Sequence, residues 1–205
     1  ELSAVNTILG AIGQSPVTTL GTYTVNSNQI STYDNPEIAF VHNLLKESNI
    51  DVQNEGWHFN TENHCHKTAD SNGYIQFDNN VLRMDFSKPQ DKFHDVVKRN
   101  NRLYDKVNHT DVFTAGEEYN VDIVWLYSFE DVPSIFRRLI TYKAAGRAAA
   151  QLVTNPQLVQ LIQVQEQSAR AACVEYECNQ GDHNYLGYPH ESSFNTYKPY
   201  IGLAR

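Results

Sequence analysis

No apolar run in the 205-residue chain approaches the roughly 20 residues that a membrane helix needs, so insertion of this chain into a membrane is not expected. The densest run, Val121–Phe129, is strand-length and contains Asp122. Cysteine is scarce. Cys65, Cys173 and Cys178 are an odd, widely spaced set that makes no disulfide framework and suits assembly in a reducing cytoplasm. The opening Glu1–Asn6 has neither a basic nor an apolar leader region, so no signal peptide is expected there, and it lacks an initiator Met. Positive charge is also short. A net charge of −8 argues against a nonspecific nucleic-acid binder, which shows a basic stripe, but it suits a wall that DNA passes without sticking. There is no P-loop, no G-x-S-x-G and no Ser/His/Asp arrangement.

What is present is a 40% hydrophobic chain, enough for a real core. Val5, Ile8, Leu9 and Ile12 follow the spacing of one buried helix face, with Gly13 placed as a C-cap and Pro16 preventing continuation. Gly21–Tyr33 is polar and reads as a loop. Asn35-Pro36 predicts a second helix start, with Ile38, Val41, Leu45 and Val52 on one face and Gly56 as the stop. From Trp57 to Phe129 the pattern turns to short strands between Asn-rich turns. Val81–Met84 is one strand; Val96–Arg99 and Arg102–Asp105 form a hairpin about Asn100-Asn101. Val121, Ile123 and Trp125 alternate toward one face, and Trp57 and Trp125 both read as core.

A third helix is expected from Asp131, with Pro133 in its first turn and a stripe of Val132, Phe136, Leu139, Lys143, Gly146 and Ala150. Gly146 costs about 1 kcal/mol against Ala, which close approach of another helix would offset. Asn155-Pro156 opens a fourth helix, with Val159, Ile162, Ala169, Cys173 and Tyr176 inward and Gly181 at its end. The fold class is therefore α+β, mainly helical. It comprises a four-helix bundle from residues 1–56 and 130–184, an inserted antiparallel β sub-domain at 57–129, and an aromatic arm at 185–205.

Candidate chemistry is thin. His64-Cys65-His66 offers two ligands on one strand face, His58 a third only through the fold, and zinc takes three or four; a polar loop is the simpler reading. Glu117-Glu118 are adjacent and face opposite ways on a strand, unlike a glycosidase pair across one cleft. Lys98, Arg99 and Arg102 make a basic hairpin tip, read either as a charged edge that deters aggregation or as a contact for an acidic partner or passing DNA. The third helix carries Arg137, Arg138, Lys143 and Arg147 with no acid between Val132 and Val153; the fourth carries Glu166, Glu175, Glu177 and Asp182 against Arg170. Facing each other within one chain, they would simply pair; facing each other between copies, they would make a head-to-tail contact that closes into a ring when the rotation permits.

Several segments, in order along nearly the whole chain, resemble a known family. Glu1-Leu2-Ser3-Ala4-Val5-Asn6 with Ile8-Leu9, Ile12-Gly13 and Pro16-Val17 is similar to the opening of the tail tubular protein A family, the head-to-tail adaptors of short-tailed, T7-like phages. Gly56-Trp57-His58-Phe59-Asn60 resembles its Gly-Trp-x-Phe-Asn junction, and Arg102-Leu103-Tyr104-Asp105 its hairpin. Asp131-Val132-Pro133 with Phe136-Arg137, and Glu166, Ala169-Arg170, Cys173 and Glu175-Tyr176-Glu177, resemble its last two helices. The chain departs from the family pattern at His64–Asn72 and Lys106–Asn120.

The resemblance implies a virion tail protein assembled in the host cytoplasm as a dodecameric ring under the portal protein. The ring would receive tail tubular protein B (the nozzle), help to seat the tail fibre protein, and let double-stranded DNA cross its channel. No catalytic residue, metal or cofactor is implied. The expected contact residues are Arg137, Arg138, Arg147, Glu166 and Glu175, with Tyr188, Phe194, Tyr197 and Tyr200 anchoring the arm on the portal or a neighbouring copy. A tail-associated glycan-binding or glycan-hydrolysing module is the alternative from another class, and a generic helical interaction protein is the plainest one.

Overall fold

The computed structural model describes residues 1–23, 30–33, 35–87, 94–153 and 155–181. The aromatic arm, with Tyr188, Phe194, Tyr197 and Tyr200, lies outside the described residues, as does Asp182. The chain divides into two compact units: Glu1–Glu55 with Tyr127–Tyr176, and Gly56–Leu126 with Glu177–Arg205.

The first unit is helical. Helix α1 (Leu2–Ala11) buries Ala4, Val5, Ile8 and Leu9. It ends as the glycine predicts: Gly13 has φ +81°, and the Gly13 and Gln14 N–H groups donate to the Gly10 and Leu9 carbonyls, satisfying the helix's last acceptors. Ile12 is only half-buried, because it is already the C-cap. The stretch expected to be a loop instead pairs as β1 (Gly21–Tyr23) and β2 (Ile30–Tyr33), antiparallel with a bulge. Polar three- and four-residue strands carry no alternation to read.

Helix α2 (Pro36–Gln53) starts at the expected Asn35, whose side chain accepts a hydrogen bond from the Glu37 N–H at 3.0 Å. Its inward face adds polar groups to the expected apolar ones. His42 sits between the Tyr33 hydroxyl (2.9 Å) and a Glu1 carboxylate oxygen (3.3 Å). Gln53 is fully buried; it donates to Asn49 Oδ1 (2.8 Å) and the Tyr127 carbonyl (2.9 Å) and accepts from the Tyr127 N–H (2.8 Å). Those bonds tie α2 to the segment that leads into helix α3 (Ser134–Leu152).

Helices α1, α2 and α3 pack on one another. The expected stripe on α3 is rotated. Phe136 and Leu139 are buried, but so are Ile140, Thr141, Ala144, Ala145, Ala148 and Ala149, while Lys143 and Gly146 are half-buried and Ala150 is exposed. The extra alanines are the small side chains that let neighbours approach on more than one side. Helix α4 (Pro156–Gly181) begins at Asn155, whose side chain accepts from the Gln157 and Leu158 N–H groups. Among its described residues it buries Ile162, Ala169 and Cys173; Val159 and Tyr176 are half-buried. The four-helix bundle is therefore better described as three mutually packed helices with a more exposed fourth.

The second unit is a three-stranded antiparallel sheet, β3 (Thr61–Thr68), β7 (Glu118–Trp125) and β4 (Val81–Phe86) in that spatial order, with a separate hairpin, β5 (Val96–Arg99) and β6 (Arg102–Asp105). Asn100 and Asn101 have φ of +48° and +58°, the pair of left-handed residues that a two-residue hairpin turn demands. The core comprises Ile75, Phe77, Val81, Met84, Phe86, Val96, Leu103, Phe113, Tyr119, Val121 and Ile123. Phe86 stacks on Tyr119 with ring centroids 5.5 Å apart, and Phe113 meets both edge-on. Trp57 is buried as expected; Trp125 is only half-buried, its indole N–H donating to Glu62 at 2.9 Å.

The polar loop expected around His64-Cys65-His66 is the edge strand β3. None of its residues is buried, so the hydrophobic signal of a strand is missing; main-chain pairing with β7 holds it, broken by a bulge where His64 takes φ +59°.

One polar node braces the hairpin end. Asp105 is buried and accepts from His94 Nδ1 (2.6 Å), the Val107 and Asn108 N–H groups (2.8 and 3.3 Å) and Asn108 Nδ2 (2.8 Å). Burial pushes its carboxyl up, but these hydrogen bonds outweigh burial and hold it at about 2. A carboxyl depressed in the folded state stabilises above its unfolded value and loses that contribution as pH falls through the range from about 4 to about 2. The linked stability is roughly 2 kcal/mol. Asp105→Asn should remove that acid transition and lower stability at neutral pH by a similar amount, read from urea midpoints at a series of pH values.

Candidate assembly interface

Among the described residues, helix α4 exposes three large apolar side chains. Its inward side meets α3: Cys173 Sγ lies 3.5 Å from the Ile135 carbonyl, and the Tyr176 ring meets Phe136 edge-on at 5.8 Å. Burial raises the Cys173 thiol to about 11, so it behaves as a small hydrophobe, not a reactive thiolate. Its outward side carries Leu161, Val164 and Val174, exposed at 58%, 62% and 47%. With exposed Ala171 and Cys178 they step along the helix by threes, fours and sevens. The inward stripe was legible in the sequence, and this outward one was missed. Its signal was available: a helix with apolar rows on two sides is one built to be covered on both.

At Gly146 the neighbouring helix does not come close enough to demand glycine. A Cβ built there would lie 3.7 Å from Ile162 Cγ2 and 3.8 Å from Glu166 Oε2. Those are ordinary contact distances, so a single methyl fits and a longer side chain does not. Gly146→Ala should raise stability by about 0.5–1 kcal/mol, the helix-propensity gain without a clash, and Gly146→Leu should lower it; thermal melts of the two variants decide.

The basic residues of α3 find acids outside α4. Arg147 pairs with Asp51 of α2, and Lys143 lies 4.0 Å from the same carboxylate. Arg137 lies 3.7 Å from Glu130. On α4, Arg170 forks onto Glu55 with contacts of 2.7 and 3.0 Å. Glu166 is half-buried beside Gly146. Arg138 and Glu175 are exposed; Arg138 has only the Tyr142 ring, 5.6 Å away, and Glu175 has no polar partner among the described residues. Of the five helical contact residues expected from sequence, these two are the exposed ones, and neither has an ion pair among the described residues. Arg137 and Arg138 border a groove of about 380 Å³ floored by Ala4, Ser134 and Thr141.

The remaining candidate chemistry does not converge. Among the described residues no three His, Cys, Asp or Glu side chains come together to hold a metal ion. A hollow of about 420 Å³ contains Asp105 and Glu117, but Asp105 is saturated by its donors and Glu117 accepts from the Tyr119 hydroxyl at 3.1 Å. No described helix is long and apolar enough to cross a membrane.

The chain has a mixed α+β fold with an outward apolar row on α4. The family model described as tail tubular protein matches residues 2–183. The chain belongs to the tail tubular protein family. The match reaches from the second residue of the helical unit through both units to the end of α4, so it covers the whole described fold. As a tail tubular protein of a T7-like phage it is a structural component of the virion tail. No curated protein matches it.

Proposed function

We propose that this tail tubular protein is the head-to-tail adaptor, the A type, which forms a dodecameric ring between the portal protein and the nozzle made by tail tubular protein B. The ring would give the tail fibre protein its seat and leave a channel for double-stranded DNA, and assembly would take place in the host cytoplasm. The observation that carries the reading is the outward row of α4, Leu161, Val164, Ala171, Val174 and Cys178, on a helix secured to its own chain by few buried residues. A neighbouring copy is the occupant that a repeated ring supplies, and the exposed charges of Arg138 and Glu175 are of opposite sign, as a head-to-tail contact needs. The acidic balance of the chain suits a channel that does not retain DNA. The aromatic arm with Tyr188, Phe194, Tyr197 and Tyr200 is proposed to anchor on the portal or a neighbouring copy.

The test is native mass spectrometry of the purified chain, alone and mixed with the cognate portal protein. A complex with twelve copies on the portal is the expected result. Absence of any association at low and moderate salt would defeat the adaptor reading.

A further inference from the structure

The hairpin β5–β6 has two unlike faces. Val96, Leu103 and Asp105 turn inward. Val97, Arg99, Arg102 and Tyr104 share the other face, and Arg99 is directly opposite Arg102 in the register. Like charges facing across a strand pair destabilise it. Here they are kept, and each is held by an aromatic ring: Arg99 Cζ lies 4.0 Å from the Tyr104 centroid and Arg102 Cζ 3.9 Å from the Tyr74 centroid.

Two acids lie near Arg102. The charge of Asp70 acts on it from beside Gln76, whose amide donates to Asp70 at 3.2 Å. Asp111, 3.4 Å from Arg102 and like it 40% exposed, is the one carboxylate paired with either arginine among the described residues. Lys98 does not add to the face; its amine donates to the Val81 and Asp78 carbonyls (2.7 and 3.1 Å) and pins the hairpin to the unit. Between the two arginines lies a hollow of about 550 Å³, lined by Arg99, Asn100, Arg102, Tyr104 and Asp111. In a chain of net charge −8, this hollow holds two cations against one acid.

We propose that this hollow is a docking pocket for a carboxylate-bearing segment of a partner protein, gripped by Arg99 and Arg102. Guanidiniums already stacked on rings lose less freedom on binding, and their planar fork matches a carboxylate. Arginine and tyrosine are also the residues that anchor protein interfaces. Duplex DNA fits less well: it is held by a row of cations, one per phosphate, and here there are two with an acid among them. The proposal does not depend on ring formation, since it concerns one unit of one chain.

The experiment is an NMR titration of the full chain with hexaglutamate, hexaglutamine and a short DNA duplex. Hexaglutamate should shift the amides from Arg99 to Arg102, hexaglutamine should not, and added salt should weaken the effect. Arg99→Gln should weaken binding roughly tenfold. Asp111→Asn, which removes the competing acid on Arg102 and leaves both arginines on their rings, should tighten it by roughly threefold. No shift at the hairpin, equal shifts with hexaglutamine, or weaker binding by the Asp111→Asn protein would overturn the proposal. Preference for the duplex would overturn it too, in favour of nucleic acid.

Discussion

Replacing Leu161 and Val164 together by glutamate should yield a protein that is folded as a monomer and no longer builds the twelvefold complex on the portal. Both side chains are largely exposed in the single chain, and substitutions at such positions usually change stability by less than about 0.5 kcal/mol. In the proposed ring the same positions are covered by a neighbouring copy. Each lost apolar side chain then costs about 1.5–3 kcal/mol of burial, and each introduced carboxylate must be stripped of water without a partner. The cost recurs at every contact around the ring, so partial assembly is disfavoured along with the complete ring. Far-UV circular dichroism should be unchanged while native mass spectrometry shows monomer and free portal. A double variant that still mounts twelve copies would remove α4 from the interface.

The second large effect is on the fold itself. Phe136→Ala should destabilise the helical unit by about 4 kcal/mol, near the middle of the range for deleting a buried aromatic ring. Phe136 is fully buried on α3, and its ring meets Tyr176 of α4 edge-on, so the loss combines a cavity with a broken aromatic pair. The denaturant midpoint followed by circular dichroism measures it. Phe136→Leu, which keeps most of the volume, should recover more than half of the loss. A shift of less than about 1 kcal/mol for the alanine variant would mean that α4 is not held at this point.

The parts of this fold that could be read in advance are those where one residue type has one local use. Asn35-Pro36 and Asn155-Pro156 mark helix starts because the Asn side chain caps and the Pro ring is pre-set. Asn100-Asn101 marks the hairpin because both must take positive φ. Strands without buried side chains or alternation are silent in this respect: β3 has no buried residue, and β1 and β2 are short and polar. The buried side of α3 was misjudged because its alanines are small enough to face several neighbours, which periodicity in one helix does not reveal. The candidate contact residues could be named by charge, but charge does not say who pairs with whom. Asp51, Glu55 and Glu130 take up Arg147, Arg170 and Arg137, and the first two acids lie far from their partners in sequence.

That long separation has a consequence for how the protein is made. The β unit is nearly continuous in the sequence, Gly56–Leu126, whereas α1 and α2 find α3 only after all of it has emerged. At roughly 5–20 residues per second the wait on the ribosome lasts several seconds. During it, Val41, Leu45 and Val52 of α2 have lost neither their apolar surface nor their need for a lid. The β strands can settle by then, so synthesis favours an order in which the inserted unit folds first and the helical unit closes last. In that interval the nascent chain is most open to holding chaperones and most prone to stick to its siblings on one messenger.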